Sequence, residues 1–298
     1  MRTLEQKISD AGPNDQRVDP HILTEARKIL QEDGLVLERQ RKGVAWYYLK
    51  GTKGTELQRR LDELGILHDA ISAGGFSKRL GQTLEIAIYR SFLEQDEYEF
   101  FGAFPDLDDH DDSKLYRKEE PPRSVSGRSV PGEKRLDFMV FHREGGLAGI
   151  EAKNVREWMY PHRPEVEALL AKCCYLDAVP VLIARRIAYG TFSILHTSGV
   201  IVHQVFNQRY PTSEAELAER VRDKHLLGYH DVRVGNEADA RLTKFLHTDL
   251  PNVLPAARTR FERNVDLVRD YSTGVMSYES FAARVRRRSR GEPEDGFP

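Results

Sequence analysis

Three charged side chains stand inside two runs that otherwise read as apolar strands: Asp137 in RLDFMVF, and Glu151 and Lys153 in LAGIEAK. Burying a charge without a partner is costly, so their types and spacing ask for a common explanation. Side chains alternate across a strand, which puts Glu151 and Lys153 on one face and Ile150 and Ala152 on the other. Asp137 shares a face with Arg135 and Met139, opposite Leu136, Phe138 and Val140. Gly145-Gly146 lies between the runs as a turn signal, and a hairpin there would carry Asp137 beside Glu151 and Lys153. Two carboxylates and one ammonium can resolve as a salt bridge, which leaves one carboxylate unpaired. They can also resolve around a divalent cation. Hard carboxylate oxygens suit Mg²⁺, which keeps waters and takes one or two protein carboxylates plus a substrate phosphate. A metal-bound water is the better nucleophile, and the ion offsets charge on phosphate oxygens. Lys153 would hold or activate that water and contact the phosphate, with a pKa tuned for proton transfer.

The elements needed to position these groups are legible around them. LGQTLEIAIYRSFLEQ has an apolar stripe of Leu84, Ile88 and Phe92 with Glu85 beside it, the pattern of an amphipathic helix. YEFFGAF (98–104) reads as a short strand. After the two charged strands come a helix in RPEVEALLAKCCYLDA, opened by Pro164, and the apolar strands VPVLIARR and GVIVHQVF, with a linker of undefined structure between them. The expectation is a mixed α/β sheet flanked by helices. Residues 105–134 are polar, acidic and rich in Pro, Gly and Ser, and read as a solvated insertion loop. Asp108, Asp109, Asp111 and Asp112 lack the glycine and terminal glutamate of an EF-hand.

Asp137, followed by Glu151-Ala152-Lys153 on the next strand and preceded by a helix bearing Glu85, resembles the PD-(D/E)XK nuclease superfamily in its Mrr-like or resolvase-like branch. The resemblance spans roughly residues 82–207. It implies a restriction-endonuclease-like α-β-β-β-α-β core and Mg²⁺-dependent hydrolysis of DNA phosphodiester bonds, with Mn²⁺ as a substitute ion. It implies Asp137 and Glu151 as metal ligands, Lys153 as the catalytic lysine and Glu85 as a further acidic ligand on the core helix. Leu136 stands where the motif's proline would be. Glu5-Gln6-Lys7 and Asp112-Ser113-Lys114 also spell acid-x-lysine, but neither closes an apolar strand. The implied partners are duplex or branched DNA, a second copy of the chain, and a partner subunit of a bacterial defence or repair complex. A non-catalytic DNA-binding or regulatory protein on the same fold, or an RNA-directed nuclease, would carry the same core.

Residues 21–49 read as a helix, HILTEARKILQEDG, and a hairpin with its turn at Arg41-Lys42-Gly43. This resembles the second half of a winged-helix domain, with Arg39, Arg41, Lys42, Lys50 and Lys53 suited to phosphate contacts; a module that only packs on its neighbour is the alternative. SAGGFSKRLGQ (72–82) reads as a glycine-rich hinge. The expected division is therefore 1–75 winged-helix-like, 76–210 nuclease core, and 211–298 mainly helical with a basic tract at 284–290. Asn154 could bond substrate, and Lys172 could reach a phosphate or be a surface lysine. Trp158, Tyr160 and His162 could stack on nucleic acid or plug the core. His142 and His203 carry no ligand spacing.

Composition sets the outer limits. The 298 residues suggest about two domains, and their formal net charge of −2 excludes a uniformly basic nucleic-acid binder. The charge is uneven, with 4 basic and 12 acidic residues in 81–120. Cys173 and Cys174 are adjacent and give neither a disulfide framework nor a zinc site. With no apolar run of membrane-spanning length and no signal-peptide core in the first 20 residues, the expected location is the cytoplasm.

Overall fold

The computed structural model describes residues 3–11, 18–95, 98–109 and 111–293. Its centre is a five-stranded sheet of β3 (Glu99–Phe101), β6 (Phe138–His142), β7 (Gly146–Lys153), β8 (Val179–Ala184) and β9 (Ile201–Gln204), in that spatial order. β3, β6 and β7 pair antiparallel; β7, β8 and β9 pair parallel. The expected mixed sheet is present. β6 and β7 form a hairpin around Arg143-Glu144-Gly145, and Gly146 enters β7 with φ +69°, a conformation that favours glycine. Register Phe138↔Ile150 leaves Asp137 one residue outside β6, at the level of Glu151.

Helices cover both faces. On one, α4 (Gly74–Leu93) packs Leu84, Ile88 and Phe92 on Phe138, Val140, Ile150 and Val181. On the other, α5 (Pro164–Leu176), α6 (Tyr189–Thr197) and α10 (Tyr278–Arg290) bury Leu169, Cys173, Ile194 and Phe281 with Met139 and Leu182. One long run serves both faces. α8 (Ala240–Lys244), a π turn over Phe245–Asp249 and α9 (Leu250–Ser272) begin in the first core with Phe245 and Leu254, and end in the second with Phe261 and Tyr271. The π turn precedes Pro251 and Pro255, whose missing N–H groups weaken the ordinary helix ladder there. Gly199 lets α9 approach closely: at φ +97°, a Cβ on it would lie 2.2 Å from the Phe261 nitrogen.

The N-terminal part comprises α1 (Thr3–Ala11), α2 (Pro20–Glu32), the antiparallel hairpin β1 (Val36–Arg41) and β2 (Val44–Leu49), and α3 (Gly54–Ser72). The hairpin turn is Lys42-Gly43, both at positive φ, one residue tighter than the expected turn. One expectation is corrected. The glycine-rich stretch is not an open loop: only Ala73 is extended, and Gly74, Gly75 and Gly81 lie within α4. Gly81, inside the helix, costs about 1 kcal/mol relative to alanine, which the buried Phe76, Leu80 and Leu84 outweigh. The same stretch anchors a third core of Leu67, Phe76 and Leu80 with Tyr210, Ala218, Tyr229 and Val232. That core includes α7 (Ala215–Arg222) and the parallel pair β10 (Gln208–Tyr210) and β11 (Val232–Val234), so packing crosses both expected boundaries, at 75 and at 210. The undefined linker before β9 is α6. The remaining short pair, β4 (Ser124–Val125) and β5 (Arg128–Ser129), lies in the acidic insertion. No helix among the described residues is long and apolar enough to cross a membrane.

His203 lies in β9 and stacks on Phe245 at 4.0 Å between ring centroids. Burial, reinforced by Arg241, pushes its pKa down to about 4. A histidine depressed in the fold contributes stability above its unfolded pKa and loses it as pH falls through the folded value. Urea midpoints should therefore decline between about pH 6.5 and 4, and His203→Phe should remove that part of the decline. An unchanged profile in the variant would show that other groups govern the acid limb.

Candidate functional site

The hairpin brings Asp137, Glu151 and Lys153 together, as their spacing predicts, and α4 adds Glu85. Asp137 is fixed from two sides. Its N–H donates to Ile150 O at 3.0 Å, and its Oδ2 accepts the Ala152 N–H at 2.8 Å. Lys153 Nζ lies 2.6 Å from Glu151 Oε1 and 3.8 Å from Asp137 Oδ2. The sequence left one carboxylate of this group without a partner; the fold supplies two more ammoniums. Lys118, from the acidic insertion, places Nζ 2.7 Å from Glu85 Oε2 and 3.1 Å from Asp137 Oδ1. Lys172, from α5, places Nζ 2.5 Å from Glu151 Oε2 and donates to Arg135 O at 2.7 Å. Three carboxylates thus alternate with three ammoniums in one chain of contacts. Lys153 is the most exposed of the three lysines, at 19% against 12% and 6% for Lys118 and Lys172.

The electrostatics follow from this order. Burial and the neighbouring Asp137 charge push the Glu85 carboxyl up to about 7. Burial would also raise Asp137, but Lys118, Lys153 and the Ala152 N–H together hold it below the usual range. Burial opposes the charge on Lys153, yet Glu151 and Asp137 outweigh it, so its pKa is raised. The expected tuning for proton transfer therefore runs upward: Lys153 is a persistent ammonium, suited to hold an anion or donate a hydrogen bond rather than to take a proton.

The donor set fits a hard divalent cation. Glu85 Oε2 is buried and makes no aligned hydrogen bond, and its neighbour is an ammonium it shares with Asp137. Among the described residues no group of three or more His, Cys, Asp and Glu forms a ready cage. Mg²⁺ does not require one, since it commonly takes one or two carboxylates and completes its shell with water and phosphate. Glu85 and Asp137 are the residues that would hold it, with Glu151 next to them.

Other expected contacts are placed differently. Asn154 is buried and donates its amide to Leu80 O and Arg209 O, both at 2.6 Å, while its Oδ1 accepts the Arg209 N–H. It ties β7 to α4 and β10 and has no donor left for substrate. Lys172 is buried behind Glu151 instead of facing a phosphate. Arg41 turns inward and grips both Asp69 oxygens of α3 at 3.0 Å; Lys42 reaches the same carboxylate at 2.8 Å. Arg39 is exposed. Trp158 is core, and Tyr160 bonds Asp19 and packs on His21. In the basic tract, Arg288 pairs with Asp266 of α9. A cleft of about 1010 Å³ opens between the hairpin and the strand ends, reaching Trp46, Tyr47, Glu85, Lys153 and Arg156.

The insertion that carries Lys118 is pinned rather than loose. Ala103 and Glu119 exchange backbone hydrogen bonds, and the Gln82 amide clamps both main-chain groups of Tyr116 at 2.9 Å. Asp112 is buried, takes the Tyr116 hydroxyl at 2.9 Å and accepts the Thr212 N–H at 2.5 Å. The acidic insertion is exposed over most of its length, as expected, with Asp112 and Tyr116 turned inward. Nothing in local sequence marked Lys118, which belongs to no periodic element.

No family model matches the chain, and no curated protein or solved structure matches it. The site therefore stands on its geometry.

Removing one member of a buried pair leaves the other charge uncompensated, at about 3–5 kcal/mol. Glu151 keeps Lys153 at 2.6 Å, so Lys172→Met should cost less than that, about 1.5–3 kcal/mol in urea denaturation. Adding Glu151→Gln should cost less than the sum of the two single losses. Additive losses in the double variant would mean that the pair is not coupled.

Proposed function

We propose that this chain has a restriction-endonuclease-like core and is a Mg²⁺-dependent nuclease that hydrolyses DNA phosphodiester bonds. The observation that carries the reading is the buried carboxylate pair Glu85–Asp137, joined by a single cation and flanked by the Lys153 ammonium. A bound Mg²⁺ supplies an activated water and offsets charge on the phosphate. Lys153, the most exposed of the three lysines, orients the phosphate and donates to it in the transition state. Glu151 and the Ala152 N–H keep Lys153 and Asp137 in place, and Lys172 keeps Glu151 in place. Substrate enters along the cleft that runs from Lys153 past Arg156 to Trp46 and Tyr47, where an aromatic side chain can stack on a base. In this reading Arg39 is the hairpin residue available for backbone contact; Arg41 and Lys42 support the hairpin through Asp69. Restriction-like defence or DNA repair is the biological setting that the reading favours, by analogy of fold alone.

A second reading has an observation in its favour. Every site carboxylate has a lysine within ion-pair distance, so the cluster balances without a metal. A non-catalytic nucleic-acid-binding protein would need no more than this.

Digestion of supercoiled plasmid, branched DNA, single strands and RNA with Mg²⁺, Mn²⁺ or EDTA separates the readings. Cleavage should require a divalent ion and fall by at least about a hundredfold in Asp137→Asn and Lys153→Met, with fold retained by circular dichroism. Binding without cleavage under either ion would establish the second reading. Preferential cutting of RNA would reassign the substrate.

A further inference from the structure

We propose that Lys118 is a resident counter-cation whose ammonium stands where a divalent ion would bind, so that metal loading is an exchange of one cation for another. The inference rests on the nuclease reading of Glu85 and Asp137. Lys118 Nζ is the group that joins these two carboxylates, at 2.7 and 3.1 Å. A divalent ion held by both oxygens and the ammonium cannot share that space, and the two cations repel each other strongly in a buried setting.

The main chain around Lys118 does not have to move for the exchange. It is fixed on one side by the Ala103–Glu119 backbone pair and on the other by Gln82 on Tyr116 and Asp106 on the Arg117 N–H. The side chain is a flexible four-carbon stem, and a retreat partner is already beside it. Glu120 Oε2 lies 3.7 Å from Nζ and is far more exposed than Glu85 or Asp137. Lys118 can therefore give up two buried carboxylates for one solvated carboxylate, or for a phosphate oxygen when substrate is present. The cost of that move sets the metal affinity. It also couples metal to substrate, since an anion that receives the displaced ammonium favours the loaded state.

The test is calorimetric titration of Mn²⁺ into the full chain without nucleic acid, for wild type, Lys118→Met and Lys118→Arg. Lys118→Met should bind Mn²⁺ about tenfold more tightly or better, and Lys118→Arg should resemble wild type. Equal or weaker affinity in Lys118→Met, with Mn²⁺ bound by wild type, would overturn the exchange and leave the nuclease reading standing. Absence of Mn²⁺ binding in both wild type and Lys118→Met would overturn both. Should Lys118→Met not fold, wild type alone decides. Amine acetylation at Lys118, read by mass spectrometry, should rise severalfold when saturating Mn²⁺ expels Nζ from its pocket. Unchanged labelling in the metal-saturated protein would overturn the proposal.

Discussion

The hydrogen bond from the Ala152 N–H to the Asp137 carboxylate organises everything else at the site. Asp137 lies just before β6, where a chain entering a strand is free to turn away. Its own N–H extends the ladder to Ile150 O, while its carboxylate folds back onto β7. The residue is thus held at both ends, and its remaining oxygen has one direction to face. That direction meets Lys118 and, beyond it, Glu85 on α4. The hairpin register then sets Glu151 at the level of Asp137, and the alternation of β7 brings Lys153 to the same side. One backbone donor therefore fixes a carboxylate that three elements share.

Stability alone gives little reason for six charges in this position. Buried ion pairs recover their desolvation cost only with good geometry, and well-packed apolar residues commonly do as well or better. The surrounding cores contain ample apolar material, from Phe138 and Ile150 on one face to Met139 and Leu182 on the other. The polar cluster is confined to the ends of β6 and β7, beside the cleft, while the strand centres are apolar. In α/β sheets the carboxyl ends of parallel strands are where ligands bind, and β7 and β8 end here in parallel. Placement, more than energy, favours a role in chemistry.

What the sequence revealed at this site was local. Asp137, Glu151 and Lys153 were legible because strand alternation turns spacing into facing, and Glu85 because helical periodicity marks the side beside an apolar stripe. Their counter-ions were not. Lys118 sits in an acidic insertion without periodicity, 19 residues from Asp137, and its position depends on Gln82, Asp106 and Ala103. Lys172 looks like any helix-surface lysine until β7 sets Glu151 beneath it. Arg41 looks like a phosphate contact until Gly65 of α3, lacking a side chain, leaves room for its guanidinium beside Asp69. The same limit explains Gly74, Gly75 and Gly81. Glycine weakens a helix by local propensity, but a buried face supplied by β10, α7 and β11 overrides it. Those partners lie more than a hundred residues away, and no local pattern announces them.

Charge balance carries one further consequence for the proposed chemistry. Above about pH 7, where Glu85 is ionised like the rest, three carboxylates and three ammoniums cancel, so the site alone is then a weak attractor of a polyanion. The hairpin turn adds only one net positive charge, because Asp69 pairs with both Arg41 and Lys42. A divalent ion would tip the balance to positive at the mouth of the cleft and would free an ammonium at the same time. An incoming phosphate would supply the negative charge that this surplus needs. Binding free energies are reciprocal, so an ion that favours the phosphate is favoured by it to the same degree. On the nuclease reading, metal and nucleic acid therefore assemble the working site together, and the lysine network keeps it quiet and folded until both arrive.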